Sequence, residues 1–457
     1  MTLASVRPDR RHAATPTTVP ASPTPAAPAA PAPNPNATTA PAAPATPTAP
    51  AARPTPGRAR ALLLVIVLGA LSAVGPLATD LYLPALPDIA ADLGTSESAV
   101  KFTLTSVMAG MALGQLVVGP LSDRWGRRLP LLIGTAVFTA TTVAIAFSPT
   151  VEVFSVLRFL QGLSAAAGLV VSRAIVSDVY DGEAAAVFFS RLVLLSGLAP
   201  MLGPILGGQL LLLGPWPVLF GALGAVGLLT TALVWWALPE SLPREHRTAV
   251  DPRGQLRVFG SLLRDPRFLL PTLTLALGFG MSFTYISAFS FVSHNELGAD
   301  AQRFALVFAV TTLGMILGNQ VNAVLVRHVE IHRRLVLGLA GSILSVGALA
   351  ALDAAGAATL PSVTAALFAM MLFTGLVSPN ATALALAHLP SDRAGSGSAL
   401  LGTLQFGLGS AVAALAGWGG SVTLSGMTAV MFAAAVGAAA VFSVTAVGAR
   451  RARTQAA

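Results

Sequence analysis

Residues 119–128 read Gly-Pro-Leu-Ser-Asp-Arg-Trp-Gly-Arg-Arg, and they stand between two long apolar segments of the chain. Gly119 permits a close approach of two helices, and Asp123 can accept hydrogen bonds or face a helix N-terminus. The three arginines can pair with groups across an interface. The run therefore predicts either a breakable latch between two parts of a membrane protein or a basic loop that only fixes topology.

The rest of the chain is dominated by apolar segments of membrane-spanning length. Of 457 residues, 54% are hydrophobic and 10% are charged, whereas about 25% are charged in ordinary soluble domains. A helix needs about 20 apolar residues to cross a bilayer, and lipid offers the backbone no other partners. The predicted spans are 62–83, 102–121, 129–148, 153–172, 191–213, 217–238, 268–292, 304–326, 335–355, 361–382, 397–418 and 424–446. We predict an all-α polytopic membrane protein with twelve transmembrane helices in two six-helix bundles.

Basic residues indicate the orientation of these spans. With a cytoplasmic N-terminus, only Lys101 and Arg303 of the 27 Lys and Arg residues fall in outer loops, and Arg158 lies within a span. This distribution predicts that both termini are cytoplasmic, in a bacterial-type inner (plasma) membrane. The basic residues flank spans instead of forming one patch with aromatics, so the net charge of +8 does not indicate nucleic-acid binding. The absence of cysteine excludes disulfides, thiolate metal sites and cysteine nucleophiles.

The chain divides into five predicted parts. They are a disordered Pro/Ala-rich cytoplasmic tail (1–60), an N-terminal six-helix bundle (61–238), a cytoplasmic linker (239–267), a C-terminal six-helix bundle (268–447) and a cytoplasmic C-terminal tail (448–457). The two bundles show a weak repeat, because Leu113-Gly114 and Leu317-Gly318 precede corresponding basic loops. Repeated bundles around a central cavity are typical of secondary transporters.

Asp80 is an acid inside the first predicted span, in the run Leu77–Pro87. An unpaired carboxylate at that depth costs roughly 2.5–3.5 kcal/mol even on lenient insertion scales, so we expect it to face a water-filled cavity. Arg158, in the fourth span, needs a carboxylate, carbonyl or water for the same reason, and Asp80 is its chemically closest intramembrane acid. The alternative is that Arg158 only bonds neighbouring helices. The pair suggests proton coupling.

The fifth span carries many small and helix-bending residues. They are Gly197, Pro200, Gly203, Pro204, Gly207 and Gly208. Such residues let a helix kink and let a neighbour approach closely, so on physical grounds alone they predict a packing groove.

Together these runs resemble the major facilitator superfamily. Residues 119–128 match its G-x-L-x-D-R-x-G-R-[RK] signature, residues 158–162 its R-x-x-Q-G segment, and residues 203–208 its G-P-x-x-G-G antiporter motif. Residues 79–87, 172–178 and 394–405 are similar to the bicyclomycin and chloramphenicol resistance (Bcr/CflA) subfamily of drug:proton antiporters. The resemblance implies alternating access, proton transfer near Arg158 and a cytoplasmic gate that stabilises the outward-open state. The gate residues it implies are Gly119, Asp123, Arg124, Gly126, Arg127 and Arg128.

Few polar side chains lie at membrane depth to form a substrate cavity. The candidates are Tyr82, Gln115, Gln161, Tyr285, Asn319 and Gln405, although each could instead bridge two helices. Such a lining favours a neutral or weakly polar drug-like molecule over a sugar phosphate or dicarboxylate. We therefore predict a proton-coupled multidrug efflux transporter. The alternative is a proton-coupled carrier, symporter or exporter, of a small metabolite such as an amino acid.

The predicted partners are a small-molecule substrate, protons and the lipid bilayer, with the chain acting as a monomer. The proton serves as coupling ion, and we expect no cofactor and no metal. Nothing in the sequence indicates an enzyme, because no cluster of paired acids, metal ligands or nucleophile with base lies at membrane depth.

Overall fold

The computed structural model describes residues 58–180, 182–247, 252–417 and 421–456. The predicted tail therefore lies almost wholly outside the described residues. Fourteen α-helices and three short 3₁₀ turns make up the described part of the chain, and no strand occurs in it. The helices are α1 Arg58–Asp80, α2 Leu86–Asp92, α3 Glu97–Trp125, α4 Arg128–Ile145, α5 Val151–Val179, α6 Gly182–Leu210, α7 Pro217–Ala237, α8 Pro252–Arg264, α9 Pro266–Asn295, α10 Ala301–Leu325, α11 Ile331–Ala354, α12 Leu360–Leu386, α13 Ser391–Ala414 and α14 Leu424–Ala456.

Apart from α2 and α8, these are the long helices predicted from hydropathy. Within the described residues, eleven segments are long and apolar enough to cross a membrane, and α1 with α2 forms one of them, Leu62–Asp92. The remaining long helix, α6, carries the predicted fifth span and includes side chains that are not described. The all-α membrane fold is therefore confirmed.

Several helices run past the predicted ends of their spans. Helix α3 continues to Trp125, so Gly119 and Asp123 are helical, and only Gly126 and Arg127 separate α3 from α4. Residues 172–178, which were expected after the fourth span, belong to α5. Hydropathy marks only the stretch inside hydrocarbon, whereas a helix keeps its backbone bonds into the polar interface.

The helices fall into two similar sets of six, α1 with α3–α7 and α9–α14. In the first half, glycines of α3 meet backbone carbonyls of α5, with Gly110 against Phe159 and Gly114 against Leu163. In the second half, α10 meets α12 in the same way, with Gly314 against Phe368 and Gly318 against Leu372. Only glycine lets the backbones come so close. The weak sequence repeat thus corresponds to a structural one, while the exact bundle bounds stay a prediction.

The most extensive packing between the halves is that of α3 on α13 and of α6 on α10. We call the side that holds the α3–α4 connection and helix α8 the linker face, and the opposite side the far face. Hydrogen bonds between the halves lie at the far face or mid-depth. They are Ser98–Gly417, Lys101–Ala413, Asn295–Glu97, Val422–Glu97, Gln302–Gly208, Ser290–Leu83 and Thr403–Ala112. Among the described residues, none joins the halves at the linker face.

Candidate functional site

The first span is interrupted immediately after Asp80. Helix α1 ends at Asp80, a 3₁₀ turn covers Leu83–Ala85, and α2 begins at Leu86. Pro84 accounts for the break, because a proline has no N–H to give to the carbonyl four residues earlier, here that of Asp80. The break therefore places a carboxylate beside irregular backbone at mid-span, an arrangement typical of transporter binding sites.

Freed carbonyls on both sides of Asp80 accept hydrogen bonds from other helices. Arg158 Nη1 on α5 donates to the Ala78 carbonyl over 2.8 Å, and Ser290 Oγ on α9 donates to the Leu83 carbonyl over 2.6 Å. The unwound segment is thus attached to both halves. Such carbonyls are tolerated at membrane depth only when protein groups satisfy them.

Arg158 lies behind this segment and is fully buried. Its guanidinium carbon sits 4.2 Å from the centre of the Tyr82 ring, and its Nη1 also donates to the Gln161 side chain. Its Nε and Nη2 have no hydrogen-bond partner among the described residues. Asp80 and Arg158 do not form an ion pair in this conformation of the described chain. The structure therefore brings the predicted pair to the same helix break, and Arg158 bonds the α1 backbone instead of the carboxylate.

Helix α6 packs directly against Asp80. A Cβ placed on Gly203 would lie 3.0 Å from the Asp80 Cβ, and one on Gly207 would collide with the Leu81 carbonyl. Pro200 lines the cavity described next, and Gly208 faces α10 of the second half. The predicted packing groove is therefore the surface that holds the broken end of α1.

A cavity of about 270 Å³ opens beside Asp80 between the halves. Drug-sized ligands usually occupy pockets of roughly 300–1,000 Å³, so this cavity is near the lower end of that range. Its apolar wall contains four methionines and four phenylalanines, Met108, Met111, Met315, Met371, Phe279, Phe283, Phe308 and Phe406. Its polar lining residues are Thr79, Asp80, Ser282, Thr312, Thr374, Ser378 and Gln405. Asp80 is the one charged residue of this lining.

Of the six side chains predicted to line a substrate cavity, the structure places only Gln405 in its wall. Tyr82 is buried and bonds Thr103, Gln161 bonds Thr142, and Tyr285 bonds Thr311. Each of these three hydrogen bonds connects neighbouring segments within a single half. Bridging of this kind is the alternative role given above for these side chains.

The other two also lie elsewhere. Gln115 is buried where α3 meets α13, since a Cβ on Gly402 would collide with its amide, and Asn319 is exposed. In this conformation these five side chains therefore lie outside the cavity wall.

The predicted gate residues form a charged cluster at the linker face. The Arg127 side chain pairs with Asp178 over 2.9 Å and with Asp123, and its backbone N–H donates to Glu240 over 2.7 Å. Burial lowers the pKa of Arg127, but the two carboxylates raise it by more, so the net shift is upward. These partners all belong to the first half or follow α7. In this conformation these bonds therefore hold α3, α4, α5 and the segment that follows α7 together.

Arg124, Gly126 and Arg128 lie at the turn between α3 and α4, and Gly119 lies earlier in α3. Gly126 has φ +90°, and any Cβ there would collide with the Glu240 carboxylate. Arg128 donates to the Trp235 carbonyl, while Arg124 is exposed. Glu240, which bonds both Arg127 and Arg128 backbone N–H groups, was missed by sequence reasoning. Its position at the start of the linker gave no signal of this contact.

A family model for the Major Facilitator Superfamily matches residues 62–414. An uncharacterized MFS-type transporter of Bacillus subtilis, YdgK, is 37% identical over 393 residues, which cover 85% of this chain and 97% of that protein. A bicyclomycin resistance protein homolog of Haemophilus influenzae is 31% identical, with 77% of this chain and 88% of the relative covered. A chloramphenicol resistance protein of Pseudomonas aeruginosa is 34% identical over 55% of this chain and 59% of its own length.

Among solved structures, a bacterial homolog of the human lysosomal transporter Spinster, in an inward-facing and occupied conformation, has a similar fold. Its TM-score is 0.66 at 16% identity, and the match covers 86% of this chain and 98% of that one. At that identity the likeness concerns the fold.

Proposed function

The chain belongs to the Major Facilitator Superfamily, and on that premise we propose that it is a proton-coupled multidrug efflux transporter. In this proposal it exchanges protons for neutral or weakly polar small molecules, such as those of the bicyclomycin and chloramphenicol type, by alternating access. The observation that carries the proposal is the Asp80 carboxylate, which enters an otherwise uncharged Met- and Phe-rich cavity at a break in the first span. The named resistance proteins among its relatives support the substrate class.

The described conformation supports a specific starting point for the cycle. Contacts between the halves close the far face, and among the described residues no hydrogen bond joins the halves at the linker face. With the linker face in the cytoplasm of a bacterial-type cell, as the basic residues predict, this state receives substrate from the cytoplasm or inner leaflet. The Asp123–Arg127–Asp178 cluster would then meet the second half only when the halves rock to the outward-open state.

Proton exchange follows from the surroundings of Asp80. A hydrated cavity favours its ionised form, and closure around it disfavours charge, so its proton occupancy depends on the state of the cavity. In the proposed exchange the drug binds the carrier whose Asp80 is ionised, and the proton binds the carrier that has released its drug, so the two occupy the cavity alternately. The protonated carrier then returns. A ligand can drive this cycle only through unequal affinity for the two states.

Arg158 would influence proton exchange through its position beside the unwound segment of the first span. Its guanidinium donates a hydrogen bond to the carbonyl of Ala78, two residues before Asp80. A positive charge close to Asp80 favours the ionised form of that side chain. Small movements of the unwound segment would alter that influence. We therefore expect Arg158 to tune proton release without touching the drug.

Transport by inverted membrane vesicles tests this proposal. Wild-type protein should accumulate drug when a proton gradient is imposed, and Asp80→Asn should abolish the response to that gradient while drug still binds. Gln405→Leu, in the same cavity wall, should alter drug affinity and keep the response. Unchanged coupling in Asp80→Asn would show that Asp80 is not the coupling acid.

A susceptibility panel in an efflux-deficient host separates the drug exporter from the alternative metabolite carrier. Expression should lower susceptibility to bicyclomycin-type or chloramphenicol-type compounds. If no compound shows a shift while a metabolite is moved in vesicles, the metabolite carrier is the better description.

A further inference from the structure

Helix α8, which lies between the two halves in the sequence, packs on the second half. Leu262 is buried, and Val258 and Phe259 pack beside it against a core shared with α9 and α13. Gln255 adds a hydrogen bond to Ser396 of α13 over 3.2 Å. Helix α9 begins two residues after α8 ends. This short connection keeps α8 at the depth where the membrane-spanning part of α9 starts.

The uncovered side of α8 has two adjacent stripes. Leu256 and Leu263, seven residues apart, are 68% and 41% exposed. At about 100° per residue, they lie within roughly 20° of each other around the helix axis. Arg253, Arg257 and Arg264 are exposed and fall within about 40° of one another on the next part of the surface. The arginines thus form a row beside the exposed leucines.

No carboxylate neutralises this row within the described chain. None of the three arginines has an ion pair there, and Arg257 only donates weakly to the Arg253 carbonyl. The nearby Asp265 is engaged by the backbone N–H of Arg267 at the start of α9. Unpaired guanidinium groups recognise phosphate oxygens with short, charge-assisted bonds.

We propose that α8 binds the headgroups of anionic phospholipids in the leaflet at the linker face. In this arrangement Leu256 and Leu263 enter the acyl boundary, and the arginine row meets the phosphates just above it. An interfacial helix needs this combination of an apolar stripe and an adjoining basic stripe. Because α8 is fixed to the second half, the lipid contact anchors that half in the membrane while the first half is free to move against it.

Fluorescence from a single cysteine tests this proposal, since the chain has no native cysteine. Leu256→Cys carries a polarity-sensitive dye in the full chain, reconstituted in phosphatidylcholine vesicles with or without phosphatidylglycerol. Emission should shift to shorter wavelength when phosphatidylglycerol is present. Quenching by headgroup-spin-labelled phosphatidylglycerol should exceed quenching by the equivalent phosphatidylcholine several-fold. The reason is that each arginine near an anionic surface increases the affinity for that surface about fivefold. Ser261→Cys, exposed beyond the arginine row, should be quenched less by either lipid.

Two double variants separate headgroup recognition from a general charge effect. Arg257→Gln with Arg264→Gln, in the Leu256→Cys background, should remove the preference for phosphatidylglycerol. Arg327→Gln with Arg333→Gln removes two exposed arginines, one from the α10–α11 connection and one from the first turn of α11, and should preserve that preference. Equal quenching by both lipids in the parent, equal loss in both doubles, or a water-exposed dye at position 256 would each overturn the proposal.

Discussion

Gly203 lies where α6 packs against Asp80. An added Cβ there would be 3.0 Å from the Asp80 Cβ and 3.3 Å from the Asp80 carbonyl carbon. This glycine belongs to the motif that suggested an antiporter, and the structure gives it a local role. It lets α6 cover the broken end of α1 without displacing the acid.

Gly203→Ala should therefore impair transport. Overpacking of this kind costs about 1–3 kcal/mol, which corresponds to at least a fivefold change in the population of the affected state. We expect drug accumulation in inverted vesicles to fall by a factor of about five or more at equal protein level. Gly197→Ala in the same helix is the matched control, because nothing lies within 4 Å of a Cβ there. Equal activity of both variants would contradict the packing role of Gly203.

Among the elements, the first span consists of two helices, α1 and α2, with a break immediately after Asp80. Pro84 removes the backbone donor that would continue α1 through Asp80, and the freed carbonyls of this segment contact Arg158 and Ser290. The break is thus a connection between the two halves as well as the setting of the acid.

Pro84→Ala should restore a continuous helix and weaken proton coupling. An N–H at residue 84 could bond the Asp80 carbonyl and draw Leu81 and Tyr82 into helical geometry, which would move the Tyr82 ring away from Arg158. Hydrogen exchange at residues 81–86 should slow, and drug-linked proton movement should fall. Pro271→Ala, within α9 and away from the cavity lining, serves as the control. Fast exchange at residues 81–86 together with normal coupling would show that Pro84 does not set the break.

Sequence patterns predicted the long helices well because membrane spans have a strong apolar signal. The helices extend past the predicted spans, as at Asp123 and Asp178, because hydropathy does not mark the helical residues beyond the hydrocarbon. The break after Asp80 was visible as Pro84 and Pro87, yet it was not inferred. Cavity residues were harder, because helices that are apolar on all sides do not reveal which face looks inward. Tyr82 and Gln161 therefore resembled lining residues, whereas Met108 and Phe406 gave no sign of lining the cavity.

At the scale of the whole molecule, the first turn of α3 closes the far face. Glu97 accepts hydrogen bonds from Asn295 and from the backbone of Val422, Ser98 donates to the Gly417 carbonyl, and buried Lys101 donates to the Ala413 carbonyl over 3.0 Å. The Lys101 ammonium thus meets the C-terminal end of α13, where helix carbonyls favour a cation. Helix α3 also carries Asp123 of the charged cluster near its other end, so this one helix has contacts at both faces.

A disulfide across the far face should lock this conformation. A Cβ on Gly417 would lie 3.0 Å from Ser98 Oγ, which is close enough for a bond between Ser98→Cys and Gly417→Cys. Oxidation should stop transport, and reduction should restore it, while each single variant should be insensitive to oxidant. Full transport by the oxidised, cross-linked protein would contradict alternating access through opening at this contact.

The central claim is that the molecule moves protons against drug through Asp80. The most direct measurement uses purified protein in proteoliposomes that contain a pH-sensitive dye, with a drug gradient as the only driving force. Protons should move in the direction opposite to the drug, and Asp80→Asn should show no drug-driven proton movement. Proton movement in the same direction as the drug, or undiminished movement in Asp80→Asn, would contradict this claim.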